Sequence, residues 1–211
     1  YFFPYIGYFQ LLAACDRFVV FDDAQYIKFG WVNRNRILVG NEPRWITMPV
    51  ATASSSLSIL HRQYQLGNQL ATRLPSRIAG AYKNAPQFKV TMSVVEEILA
   101  YPDPNVARFN ENLLRVIAAH LGIETTIFRS SELDKDGSLV GGQNRVLDMC
   151  KRIGAKTYIN PIGGIQLYSH EAFAQQSLQL KFLSCAAEQY PQRGSNFISF
   201  LSIVDVMMFN D

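Results

Sequence analysis

Two successive stretches of the chain repeat one order: a helical pattern, a stop, then a short β-branched or aromatic run. Residues 142–155, GQNRVLDMCKRIGA, read as a helix ended by Gly154, and KTYIN (156–160) as the strand that follows. ETTIFRS (124–130) supplies a strand before that helix. The order recurs with a short helix at SHEAFAQQS and a last strand at LQLKFLS. Strand, helix and strand in this sequence is the crossover unit of a parallel sheet, because parallel neighbours need a long return connection that a helix provides. The pattern predicts an α/β or mixed α+β fold with a largely parallel sheet and flanking helices.

The front half adds its own elements. YFQLLAAC (8–15) is a short helix by pattern, RFVVF (17–21) a buried strand, and RWITMPV (44–50) a second strand whose end or edge Pro49 marks. ATASSS reads as a small polar loop and LSILH (57–61) as a further short strand. A helical insert is expected around 64–121. Leu66, Leu70, Leu74, Ile78 and Ala81 recur at helical spacing there, with Pro75 kinking or splitting the segment. SVVEEILAY continues as helix until Pro102 and Pro104; Asn105 then caps a helix whose Phe109, Leu113, Val116 and Ile117 share one face, and Gly122 ends it. The apolar C-terminal run FLSIVDVMMF predicts a buried helix, with an exposed patch or a homo-oligomer contact as the alternative. Without a fixed-period repeat or low-complexity tract, 211 residues suit a single domain spanning 1–211.

Charge and composition remove several function classes. The formal net charge is only +3, and no run of four or more basic residues occurs, so a nucleic-acid groove is not expected. Cys15, Cys150 and Cys185 form no Cys-x-x-Cys pair, which fits a reducing cytoplasm better than a disulfide scaffold. His61, His120 and His170 lie far apart, and no pair has metal-ligand spacing, so no metal site is predicted. No apolar run reaches the roughly 18 residues of a membrane span, and no stretch reads as a signal peptide. The chain does not begin with Met, and trimming at its start is expected.

Ligands of open α/β sheets bind beyond the carboxyl ends of strands, which turns position into a prediction. Asp22 and Asp23 follow the first readable strand; on an extended chain they point apart, so one can act as base or bind a ligand while the other anchors the loop. Both acting only as loop anchors is the equal alternative. Gln25 follows, and then WVNRNR alternates as a strand would, with Trp31, Asn33 and Asn35 on one side and Val32, Arg34 and Arg36 on the other. Two arginines on one face can hold a phosphate or carboxylate, or can pair with the aspartates and fix the loop. Asn160 with the turn glycines Gly163 and Gly164 follows a later strand, where backbone amides can approach an anion, though a tight turn explains the glycines as well. Gly141 and Gly142 open a helix and are read as its cap. In the opening YFFPYIGYF, most aromatics are expected in the core, while the hydroxyls of Tyr5 and Tyr8 make them the ones to face a ligand. No P-loop, nucleophile elbow or dinucleotide-binding glycine turn is present, and no cofactor is indicated.

Four stretches together carry a resemblance: YFFPYIGYFQLLAACDRFVVFDDAQYIKFGWVNRNRIL, WITMPV, GAKTYINPIGGIQLY and FISFLSIVDVMMFN. They resemble the WbqC-like protein family from the first residue to nearly the last. Members usually carry a short strand ending in Gln-Pro before the first tyrosine, so part of the site is expected outside these residues; Pro75 also departs from the pattern. The resemblance implies a bacterial transferase of surface polysaccharide synthesis, among O-antigen and lipopolysaccharide genes, with a glycine transferase activity that attaches an aminoacyl group to a sugar. It implies a small-molecule or nucleotide-sugar substrate and supplies no catalytic residues. More loosely, Pro-x-x-Gly-Tyr opening a helix before a strand is similar to the entry of nucleotidyltransferases of the HIGH type, although Tyr8 stands where those have histidine. A non-catalytic binding subunit of a polysaccharide assembly complex is the third reading.

Overall fold

Helix boundaries follow local chemistry. In the computed structural model, which describes all residues except 136, 139, 140, 186–188 and 194–195, the elements run in chain order as α1 (Ile6–Ala13), β1 (Arg17–Val20), β2 (Arg34–Val39), β3 (Glu42–Thr47), α2 (Gln69–Thr72), α3 (Leu74–Tyr82), α4 (Phe88–Leu99), α5 (Val106–His120), β4 (Thr126–Arg129), α6 (Ser130–Leu133), α7 (Gln143–Arg152), β5 (Thr157–Pro161), α8 (His170–Gln175), β6 (Gln179–Leu183) and α9 (Ile203–Phe209). Pro75 falls in the first turn of α3, where its missing N–H has no helical partner to lose, so the insert splits there rather than kinking. The Asn105 side chain accepts from the Arg108 amide and starts α5. Gly122 and Gly154 close α5 and α7 with φ of 68° and 64°, a conformation that glycine adopts without a Cβ clash.

The fold is mixed α/β. Parallel pairing occurs as expected, but in small pieces: β1 with β4, and β5 with β6. β2 and β3 form an antiparallel hairpin. The run 57–61, expected as a strand, is instead a 3-10 turn at Ile59–His61 preceded by a single bridge from Ser58 to Gln25. Its neighbour segment 22–26 supplies only isolated carbonyl and amide partners, too few for a ladder: Leu60 N–H donates to Asp22, Ile59 N–H to Ala24, and Tyr26 N–H to Leu57.

The chain divides into two compact units, one of Tyr1–Phe9, Asp22–Ile123 and Ala187–Asp211, the other of Gln10–Phe21 and Glu124–Ala186. In the first, α5 buries a full face including Phe109, Leu113, Leu114 and Ile117, and α4 presents Met92, Val95 and Ile98. α9, the expected C-terminal helix, buries Ile203, Val204, Met207 and Met208. Thr91 Oγ1 donates to the Met207 carbonyl at 2.8 Å, and the Gln87 amide to the Met208 carbonyl at 3.0 Å, so α9 docks on α4 through its unsatisfied end carbonyls as well as its apolar face. The second unit has its own core of Val146, Leu147, Cys150, Phe173, Leu178 and Leu180, bordered by Tyr158, Tyr168 and Phe182. Among the described residues, no helix is long and apolar enough to cross a membrane.

Candidate functional site

The hairpin of the first unit builds a surface of alternating cations and aromatic rings. β2 buries Asn35, Ile37 and Leu38 and leaves Arg34 and Arg36 half-buried. Its register sets Arg36 opposite Trp45 and Arg34 opposite Thr47. The expected alternation begins only at Arg34, because Val32 and Asn33 are both buried. The Val32 carbonyl is taken by the Tyr64 hydroxyl (3.0 Å) and the Asn110 amide (2.8 Å), which bends the chain there.

Arg34 is the centre of this surface. Its Nε donates to the Gly30 carbonyl at 3.2 Å and Nη2 to that of Phe29, closing the loop in which Phe29 has φ of 64°. Its guanidinium carbon stands 4.1 Å from the Trp45 ring centroid and 5.4 Å from that of Phe29. Trp45 lies 5.2 Å from Trp31, and Arg36 reaches the Trp31 ring at 5.9 Å. Both tryptophans are about 40% exposed, so the ladder faces solvent.

A second arm runs inward. Arg62 is 4% exposed and sits over the Tyr26 ring at 4.7 Å; its Nη2 donates to the Ser54 carbonyl at 2.6 Å. The Tyr26 hydroxyl donates to Asn33 Oδ1 at 2.9 Å, and Asn33 Nδ2 donates to the Met48 carbonyl at 2.9 Å. Burial raises the Tyr26 hydroxyl above the ordinary tyrosine range, while the positive charges of Arg62 and Arg34 work in the opposite direction. Tyr26 therefore lies within electrostatic reach of both guanidiniums. Among the described residues, none of Arg34, Arg36 and Arg62 forms an ion pair with a carboxylate.

The residues picked out from sequence are distributed as follows. Asn33 positions Tyr26, as above. Asp22 is buried and Asp23 half-buried, in the segment bonded to 57–60, and neither lacks partners. Gln25 is exposed and donates from Nε2 to the Ser55 carbonyl at 3.1 Å. Tyr5 packs against Gly7, whose added Cβ would lie 2.4 Å from the Tyr5 ring, and meets Phe200 at 5.9 Å. Tyr8 contacts the ring of Tyr1 at 5.7 Å, and burial raises its hydroxyl above the usual range.

Asn160, Gly163 and Gly164 belong to the second unit. They follow β5 on a 3-10 turn at Ile162–Leu167. Asn160 Oδ1 accepts the Tyr158 hydroxyl at 3.1 Å and Nδ2 donates to the Pro161 carbonyl at 3.0 Å. A Cβ on Gly164 would stand 2.1 Å from Asn160 Nδ2, whereas one on Gly163 meets nothing within 4 Å. Gly164 thus has a packing reason to be glycine.

Sequence reasoning missed Arg62, Tyr26 and Trp45. The signal available was an arginine close behind the apolar residues Leu57, Ile59 and Leu60 and the fact that the chain has just two tryptophans. Among the described residues, no group of three or more His, Cys, Asp or Glu side chains is placed to hold a metal ion.

Among known proteins, uncharacterized protein Rv1507c of Mycobacterium tuberculosis (strain ATCC 25618 / H37Rv) is 27% identical over 209 residues, covering 98% of this chain and 89% of the relative. No solved structure matches. Family comparison covers every residue from 1 to 211, and the chain belongs to the WbqC-like protein family.

Proposed function

We propose that this protein is a cytoplasmic transferase of bacterial surface polysaccharide synthesis, of the O-antigen type, and that the cation and aromatic ladder of its first unit holds an anionic sugar substrate such as a nucleotide-sugar. The observation that carries the reading is the pairing of half-buried Arg34 and Arg36 with the exposed rings of Trp31 and Trp45. Flat rings bind a base or the apolar face of a sugar ring, and the two guanidiniums have no carboxylate ion pair among the described residues. Family membership supports a glycyl or other aminoacyl unit as the group transferred. In that chemistry Asp22 or Asp23 takes a proton from the sugar amine or hydroxyl as it attacks the acyl carbon, and the carrier group of the acyl donor departs with the electrons of the broken bond.

Both tryptophans of the chain stand in the ladder, so intrinsic fluorescence reads this site without a label. Titration with nucleotide-sugars, ATP, CTP, coenzyme A and glycine, each with and without Mg²⁺, is expected to give a saturable change with a nucleotide-sugar that Arg34→Gln and Arg36→Gln together abolish. An unchanged signal with every compound removes the reading in favour of a non-catalytic binding subunit. A second reading, a nucleotidyltransferase-like enzyme, is favoured by Pro4 and Gly7 at the opening of α1 and by the parallel pair β1 and β4. It predicts instead that ATP or CTP binds with Mg²⁺ and is cleaved.

A further inference from the structure

We infer that Arg62 is an oxyanion-binding residue whose site takes a phosphate group, so that the substrate of the first unit is a phosphate ester or diphosphate. The inference deepens the sugar-binding reading given above and names the part of the ligand that the tryptophans do not recognise.

Arg62 is a buried full charge with too few partners. A guanidinium carries five N–H donors and keeps its proton at any pH that the protein survives. Here Nη2 has one acceptor, the Ser54 carbonyl, and Nε is buried without any. The Tyr26 ring covers one face. Among the described residues, no carboxylate pairs with it. One carbonyl and one ring do not offset removing such a charge from water, and an apolar side chain would fill the position better if packing were its purpose. The unfilled donors therefore point to an anion that arrives from outside.

The surroundings select phosphate. Residues 51–64 contain four serines, a histidine and no acid. Ser54 Oγ and Ser56 Oγ lie 2.8 Å apart on the exposed loop whose carbonyl Arg62 holds. Ser58 Oγ and His61 Nδ1 are 2.9 Å apart on the turn leading into Arg62. Hydroxyls beside a planar guanidinium suit the several acceptor oxygens of a tetrahedral anion. The acids of the paired segment, Asp22 and Asp23, have partners of their own.

The test uses the intact protein with arginine side chains labelled at ¹⁵Nε, titrated with inorganic pyrophosphate and, separately, acetate. The Arg62 resonance is identified by its absence in Arg62→Lys or, if that variant does not fold, by loss of the ring-current shift in Tyr26→Leu. A saturable shift of this resonance with pyrophosphate at about millimolar concentration is expected, together with a pyrophosphate affinity, read by titration calorimetry, that falls roughly tenfold or more in Arg62→Lys. No shift, or an equal one with acetate, overturns the phosphate assignment. A pyrophosphate response at Arg62 with silent tryptophans under every sugar upholds this site and removes the sugar-binding reading; the converse upholds the ladder alone and overturns the inference. A nucleoside diphosphate that outcompetes pyrophosphate identifies a nucleotide-sugar source, and competition by prenyl phosphate alone identifies a lipid-linked one.

Discussion

The Asp205 carboxylate accepts the Tyr82 hydroxyl at 2.6 Å inside the first unit, joining the C-terminal helix α9 to α3. Tyr190 at 2.7 Å and Gln192 at 2.9 Å donate to its other oxygen, and the Leu38 amide donates to Tyr82. Every member of this network is occupied, and Asp205 is fully buried. Asp205→Ala leaves the Tyr82 and Tyr190 hydroxyls without their acceptor, while Gln192 Nε2 keeps the Ile198 carbonyl, and is expected to cost about 3 kcal/mol, measured as a fall in the urea midpoint.

The same carboxyl gives a pH signature. Burial, the largest influence, raises it above the ordinary carboxylate value, against the opposing hydrogen bonds from Tyr82, Tyr190 and Gln192. The native state then keeps the proton where the unfolded chain has lost it, so stabilisation present below about pH 4 is lost as pH rises through the folded value. The stability difference between wild type and Asp205→Asn should shrink from pH 3 to pH 7 in urea titrations. A difference that grows over this range contradicts the assignment.

Gly163 and Gly164 should respond differently to the same change. Gly164→Ala drives a methyl into Asn160 and is expected to destabilise by about 1–2 kcal/mol, while Gly163→Ala stays within about 0.5 kcal/mol. Combining Gly164→Ala with Asn160→Ala should recover part of the loss, and thermal melts of the four proteins close the cycle.

Arg34→Lys removes the forked contact to Phe29 and Gly30 and the stacking on Trp45. Lysine cannot reproduce the planar guanidinium, so the loop at 27–30 should open and be cut faster by chymotrypsin next to Phe29, with a loss of about 1 kcal/mol. Cleavage at the wild-type rate would show that the loop does not depend on Arg34.

Cys15 and Cys150 are predicted to be poor nucleophiles. Burial pushes both thiols up to about 11, with the charge of Asp16 adding to the effect at Cys15. Alkylation followed by mass spectrometry should be slow at neutral pH and rise about tenfold per pH unit toward that value. A fast neutral reaction at either position would imply a thiolate-stabilising environment that the structure does not contain.

The local elements were legible because their causes are local. Asn105 as a cap, Pro75 as the division between α2 and α3, Gly122 and Gly154 as helix ends, and the strands before and after α7 each depend on the chemistry of a few neighbouring residues. The run 57–61 was misread because an apolar stretch becomes a strand only if a partner offers a continuous ladder, and segment 22–26 does not.

The site divides in the same way. Sequence alone identified the polar stretch from Asp22 to Arg36 and the Arg34 and Arg36 pair. It carried no information on which side chains the fold would stack on them. Trp45 meets Arg34 through hairpin register, and Arg62 meets Tyr26 because the turn at Ile59–His61 delivers it across 36 residues of chain. A buried arginine reads in sequence like any surface arginine. Only tertiary packing decides that its charge is shut away from water, and that desolvation is what marks Arg62 for a ligand.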